Sequence, residues 1–350
     1  MGVDRELRAK SRRELQLLRS TYQFSEFGKM VQLPFGSILP FGKDQYLDFQ
    51  IETVGTKVLI AQLAEKYDTI GIDGVAMAVN DVIRSGAKPF ALVDNIHARS
   101  SEPNLIKELL RGIVKGAEES ECVVPSGEIG DVAELIKGVV ERKVFDLVIA
   151  AVGEVNRRRT ITGRNLKAGD TIIGLRSSGI HSNGITLARR ILFRHWGGKY
   201  EPQDIPEGIH KEIIYEALQP TQIYVKPFMK VVENCEVKAD VHITGDAYIK
   251  FGRLTKFSKH IGFRFDNFHP QPIFGLIQKT AADLGRTITD EEMFKTFNMG
   301  WGFAIIVDKE TTDNALDSLE KSGMNAEKIG YVTEIEGIEI RSKRRRIILE

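Results

Sequence analysis

Between residues 46 and 94 the chain passes through three hydrophobic patterns. Tyr46–Glu52 alternates apolar Leu47, Phe49 and Ile51 with polar Asp48, Gln50 and Glu52, the period of a half-buried strand. Ile72, Val75, Ala76, Val79, Val82 and Ile83 then recur at helical spacing and predict a helix. Gly86 is placed to cap its C-terminus, and Pro89 prevents continuation. Phe90–Val93 reads as a short strand ending at Asp94. The acids fall at boundaries: Glu52 at a strand end, Asp68 before a helix, Asp81 in its last turn, Asp94 after the next strand. With glycines and Lys57 nearby, this arrangement suits a Mg²⁺–nucleotide site better than a solvated face.

Upstream, Arg5–Leu18 reads as a helix that docks or frays. Leu33–Lys43, LPFGSILPFGK, carries two Phe-Gly pairs: either a loop that approaches a ligand closely or a turn-rich lead-in to the strand. Downstream, Asn104–Ala117 has an amphipathic helical pattern. Cys122–Pro125 is strand-like and opens into Ser126–Asp131, while Val144–Val155 and Thr171–Leu175 read as strands. Near residue 170 the pattern changes, which divides the chain into an extension (1–33), an N-terminal domain (34–169) and a C-terminal domain (170–350). Ser177–Gly184, SSGIHSNG, joins a strand to a helix with Ile185, Ala188, Ile191 and Leu192 on one face. Such a turn presents backbone N–H groups to an anion. His242–Asp246, HITGD, repeats that grammar. Residues 197–215 read as a surface excursion. A strand ending at Val307, a helix over Thr311–Ser322 and a last strand, Ile329–Val332, complete an α/β or α+β chain.

Composition narrows the classes. With 350 residues, 42% hydrophobic and 28% charged, either half is long enough for its own core. A net charge of +1 gives no general case for nucleic acid or membrane, and the tail Arg341–Arg346, RSKRRR, reads as a solvated basic end. Cys122 and Cys235 make neither a disulfide framework nor a metal knuckle, so a reducing cytoplasm is expected. No apolar run approaches the ~18 residues of a membrane span, and the first ten residues lack a signal-peptide core.

The P-loop, the dinucleotide GxGxxG, HExxH, GxSxG and kinase motifs are all absent. What is present is Asp81-Val-Ile-Arg-Ser-Gly86-Ala87-Lys88-Pro89, a D-x4-G-A-x-P pattern. DTIGID and a later Asn-Asp precede it, and SSGIHSNG, HITG and MFKTFNMGWGF follow. Together these resemble the aminoimidazole ribonucleotide synthetase (phosphoribosylformylglycinamidine cyclo-ligase) family over about residues 34–335. The resemblance implies an N-terminal α/β domain whose strands join a second subunit's in a barrel, hence a homodimer, and a C-terminal α/β domain. It implies ATP in a cleft under the glycine-rich loop, Mg²⁺ on the phosphates, and a small ribonucleotide substrate.

By position, the resemblance makes Asp81, Asp94 and Glu52 metal ligands, and places Gly55, Thr56 and Lys57 on phosphate, with Lys57 assisting transfer. Asp68 and Asn80 would line the nucleotide, Glu128 would reach the cleft, and His181 and Asn183 would face substrate or phosphate. A histidine in such a turn is otherwise a hydrogen bonder that stabilises it. The chain departs from the family at Glu52-Thr53 (Asp-Gly expected), Ile129 (threonine) and Asp246-Ala247 (glycines). Three readings stand: the cyclo-ligase, a paralogue acting on another amide, acid or phosphate-bearing substrate, and a nucleotide-binding protein without turnover.

Overall fold

The computed structural model describes residues 5–342 and 345–349, so Lys343 and Arg344 of the basic tail lie outside the described residues. Helix α1 (Arg5–Glu14) and a 3-10 segment, Leu15–Phe24, lead into a six-stranded sheet. Its strands are β1 (Val31–Leu33), β2 (Gly36–Phe41), β3 (Gln45–Thr53), β4 (Lys88–Ala98), β5 (Val123–Asp131) and β6 (Phe145–Asn156), in the order β1-β2-β3-β6-β4-β5. Helices α2 (Lys57–Ala64), α3 (Asp68–Val82) and α4 (Pro103–Ser120) belong to this half; α3 lies against β3 and β6, with α4 packed along it. Every residue of α3 from Thr69 to Val82 is buried, so it is a core helix apolar on most sides, not an amphipathic surface helix.

The second half is a seven-stranded sheet. Its strands are β7 (Thr171–Arg176), β8 (Val237–His242), β9 (Gly262–Phe265), β10 (Trp301–Val307), β11 (Ala326–Thr333), β12 (Gly337–Ser342) and β13 (Arg345–Leu349), ordered β13-β12-β9-β11-β7-β10-β8. Helices α5 (Ile185–Leu192), α6 (Ile213–Ala217), α7 (Val225–Asn234), α8 (Pro272–Asp283), α9 (Asp290–Thr296) and α10 (Thr312–Lys321) complete it. Pairing is antiparallel except between β12 and β9. The fold is mixed α/β. One apolar cluster runs without a break from α2–α4 and β6 across to α5, α7, α8 and β10. A second, aromatic-rich cluster around Tyr248, Phe251, Phe265 and Trp301 backs the other face of the second sheet.

Several expectations are corrected. The strand expected at Phe90–Val93 runs to Ala98, so Asp94 lies in the middle of β4 rather than at its end. Ser126–Asp131 is not a loop: it continues β5, an edge strand exposed along most of its length, and carries Glu128 mid-strand. In β3 the alternation is real but inverted. Asp48 is 3% exposed and faces the helices, whereas Phe49 and Ile51 are 59% and 69% exposed on the outer face. The basic tail is not a free end, because β12 and β13 form a hairpin in which Arg341 and Arg346 pair with Glu339, and Arg345 with Asp290. Residues 197–215 are partly internal: Ile209 and Ile213 are buried. The helix expected over Arg5–Leu18 stops at Glu14.

Candidate active site at the seam between the halves

Two helix N-termini, one from each half, meet at a cleft of about 680 Å³. Gly55 and Thr56 precede α2; Asn183 and Gly184 precede α5. The hydroxyls of Thr56 and Thr186 lie 2.9 Å apart across the seam. Both helix starts carry unpaired N–H groups and the positive end of a dipole, so the cleft favours an anion. Gly184 holds φ +72°, and a Cβ there would sit 2.3 Å from the Phe297 ring, so the turn into α5 requires glycine. Arg190, Arg286 and Lys295 line the same cleft, with Asp246 and Glu292 opposing them.

Behind the α2 turn, Lys57 is fully buried. Its Nζ lies 2.9 and 2.8 Å from the two carboxylate oxygens of Asp73 and donates to the Gln219 carbonyl at 2.7 Å. Burial pulls its pKa down, and Asp73 opposes that. Asp73 also accepts from the Thr221 N–H, the Thr221 hydroxyl and Ser182 Oγ, at 2.8, 2.6 and 3.2 Å. Lys57 therefore anchors the Gly55–Thr56 turn from within instead of pointing into the cleft. Asn80 is spent similarly: Nδ2 donates to the Gln222 carbonyl and Oδ1 accepts the Tyr224 N–H, at 2.8 and 2.9 Å. His181 is 1% exposed with φ +59°. Its Nε2 accepts from the Ser178 N–H at 3.2 Å, which puts the ring proton on Nδ1. Burial lowers its pKa well below the usual value, so the ring is neutral.

A second buried node surrounds Asp81. Arg84 reaches Oδ2 at 2.8 Å and His242 Nδ1 reaches Oδ1 at 2.7 Å. Burial alone would raise the Asp81 pKa, but Arg84, His242 and Lys250 outweigh it and keep the carboxylate ionised. His242 is held to about 4, chiefly by burial. A neutral ring beside an ionised acid donates from Nδ1, leaving Nε2 a buried acceptor without a partner among the described residues. Lys250, pulled to about 7 mainly by burial, donates to the His242 carbonyl at 3.0 Å and to Thr244 Oγ1. Glu52 adjoins Asp81, and burial and that neighbour raise its pKa to about 7.

The sign of the Glu52 effect on stability follows from its raised value. A carboxyl that holds its proton more tightly when folded contributes fully below its ordinary range, and that contribution is lost as pH rises through about 7. Glu52→Gln removes it. The stability of the variant will fall less steeply than wild type between pH 4.5 and 7, by urea unfolding; equal slopes would refute the assignment.

The other predicted ligands lie apart. Glu52 and Asp94 flank Ile149 on one face of the sheet, two strand spacings or about 10 Å apart. Asp94 instead fills the space left by Gly127, where a Cβ would sit 2.4 Å from its Oδ2. Asp68 opens α3 and pairs with Lys66 at 2.8 Å, about 20 Å along the helix from Asp81. Glu128 shares the outer face of the sheet with Asn95, its partner in register. Mg²⁺ requires octahedral oxygen ligands at ~2.1 Å. Asp81, Glu52 and Asp94 do not fit one such ion, and among the described residues no group of three His, Cys, Asp or Glu could hold one. Of the departures, Glu52 faces Asp81, Thr53 projects from the opposite face of β3, and Asp246 lines the cleft.

Sequence reasoning passed over Asp73, His242, Lys250 and Arg84. A signal for Asp73 existed: with Asn80 and Asp81 it forms an i, i+7, i+8 polar stripe on an otherwise apolar helix. Nothing in the local sequence marks Lys250, which is defined by contacts across the second half.

The architecture is that of a two-domain α/β protein with an anion-favouring seam. The chain belongs to the AIR synthase related protein family: residues 36–155 match its N-terminal domain and residues 167–343 its C-terminal domain. It is 38% identical over 344 residues to a phosphoribosylformylglycinamidine cyclo-ligase of Pyrococcus horikoshii, covering 97% of this chain and 96% of that one. A Methanocaldococcus jannaschii protein of the same name is 37% identical over 326 residues, 92% and 86% of the two chains. Among solved structures, Escherichia coli HypE superposes with a TM-score of 0.62 at 16% identity, over 96% of both chains. Thermotoga maritima PurL complexed with ATP gives 0.58 at 13%, over 89% of this chain and 44% of that one.

Proposed function

We propose that the chain is an ATP-dependent ligase that closes formylglycinamidine ribonucleotide to aminoimidazole ribonucleotide, releasing ADP and phosphate. The carrying observation is the pair of facing helix N-termini at the seam, present in a chain that matches named cyclo-ligases over nearly its whole length. An amide oxygen is a poor leaving group; ATP supplies the phosphoryl group that makes it a good one, and the neighbouring nitrogen then closes the ring. Such transfer depends on positioning and charge neutralisation more than on a covalent nucleophile.

In this reading Gly55, Thr56, Asn183 and the start of α5 hold phosphate, while Lys57 and Asn80 fix the walls from behind. The buried Asp81–His242 pair fixes the His242 ring and braces the end of β8, and Lys250 offsets charge beside it. Mg²⁺ enters only as a companion of the nucleotide's phosphates. The PurL structure complexed with ATP supports nucleotide use by this fold. The reaction belongs to purine synthesis, for which a cytoplasmic setting is proposed; no helix among the described residues is long and apolar enough to cross a membrane. The test is ADP release by the purified protein: it should require formylglycinamidine ribonucleotide, and ADP formation indifferent to that compound would refute the reading.

A homodimer is part of the proposal. The outer face of the first sheet carries Phe49, Ile51 and Val93 uncovered, at 59%, 69% and 43% exposure. Their pairing with Val152 and Ala150 makes one continuous apolar surface. Patches of this kind mark interfaces. Ile51→Lys should convert a dimer to monomer in sedimentation velocity without altering the far-UV spectrum. A wild-type monomer would exclude the arrangement.

A further inference from the structure

Asp246 is where an unusual backbone and an unusual charge coincide. It has φ +68° and Ala247 follows at +36°, two adjacent non-glycine residues in a conformation that persists only where surroundings impose it. Its carboxylate lines the cleft beside both helix N-termini, where a like charge opposes a bound phosphate. Two arginines hold it there. Arg12, on α1 and 234 residues away, reaches Oδ2 at 3.3 Å; Arg253 reaches the same oxygen at 3.8 Å.

Arg253 does more than neutralise. Its guanidinium lies over the Phe35 ring at 5.7 Å, while Arg84, the partner of Asp81, lies over the same ring at 4.8 Å. Phe35 belongs to the first Phe-Gly pair and helps to close a small pocket lined by Asp48, Asp81 and Asp240. One carboxylate therefore ties α1 to the cleft mouth and, through Arg253, to the loop over the buried Asp81 node.

We propose that Asp246 is a positioning residue that, through Arg12 and Arg253, holds α1 at the cleft mouth and the Phe35 loop over the Asp81 node until a ligand phosphate takes over both arginines. Guanidinium groups bind phosphate bidentately, and a dianion at the start of α5 outcompetes one partly exposed carboxylate. The exchange rests on the phosphate-binding reading above; the resting latch does not.

The experiment is limited trypsin digestion of the full chain at the basic sites of residues 5–13. Without ligand, Asp246→Asn should be cut about three- to fivefold faster than wild type, the scale of one lost, partly exposed ion pair. Asp246→Glu should restore protection, and Arg12→Gln, on an exposed helix, should reproduce the release. Formylglycinamidine ribonucleotide should accelerate digestion of wild type and leave Asp246→Asn unchanged. In turnover, Asp246→Asn should lower both KM for that substrate and kcat, a split that simple loss of structure would not give. Digestion of Asp246→Asn at the wild-type rate overturns the latch, and a ligand effect equal in both proteins overturns the exchange. Because resting digestion needs no turnover, its failure leaves the ligase reading intact, whereas substrate-independent ADP release refutes that reading and leaves the latch standing.

Discussion

Asp73→Asn will destabilise the protein by about 3–5 kcal/mol, the cost of leaving a buried charge without its counter-ion. The amide cannot balance the Lys57 ammonium, which has no solvent to turn to, and it weakens the bonds from Thr221 and Ser182 as well. Urea unfolding reads the loss directly. The double variant Asp73→Asn, Lys57→Met should recover part of it, because no lone charge then remains buried. A cost below about 1 kcal/mol for the single variant would show that the buried pair is not what joins these segments.

Asp81→Asn is expected to reduce kcat about a hundredfold, the scale of a loss when the groups that position a site shift by about an ångström. An asparagine presents the His242 ring with either an oxygen or an NH₂, so the proton is no longer fixed on Nδ1. The ring that braces the end of β8 is then loosened. Arg84 also loses its ion-pair partner, which loosens the guanidinium that lies over Phe35. Substrate-dependent ADP release at saturating ATP measures the effect. A kcat within threefold of wild type would remove the dyad from the proposed mechanism.

How much of this was legible beforehand differs by element. The strand at Tyr46–Glu52 and the helix carrying Ile72 to Ile83 follow from period alone, because local spacing decides them, and the apolar run Val144–Val155 is a strand within a residue at each end. The facing of β3 does not follow from period. Alternation says that two faces differ, not which one meets the core, and here the polar row lies inside beside Asp81 and Arg84. The strand-like pattern of β5 ends at Pro125, and its continuation through Ser126–Asp131 is fixed by pairing along the sheet edge with β4. Gly55, Thr56 and Asn183 do meet in one cleft, and Glu52 does adjoin Asp81. Lys57, Asn80 and His181 were recognised as special, but their polar atoms are turned to the protein. Residue type cannot distinguish a lysine that grips a ligand from one that grips an aspartate; only the partner can. Asp94, Asp68 and Glu128 take their expected roles from position in the resemblance, and strand spacing and helix rise set them apart.

The polar stripe of α3 bears on how anything enters the seam. Asp73 grips Thr221, Asn80 the 222–224 segment and Asp81 the end of β8, all from one helix rooted in the first sheet. That helix acts as a dowel driven through both halves. Opening the cleft by swinging one half from the other would break all three grips at once, each of them buried. A swing of the halves therefore carries the cost of three buried contacts, whereas a rearrangement of the exposed rim does not.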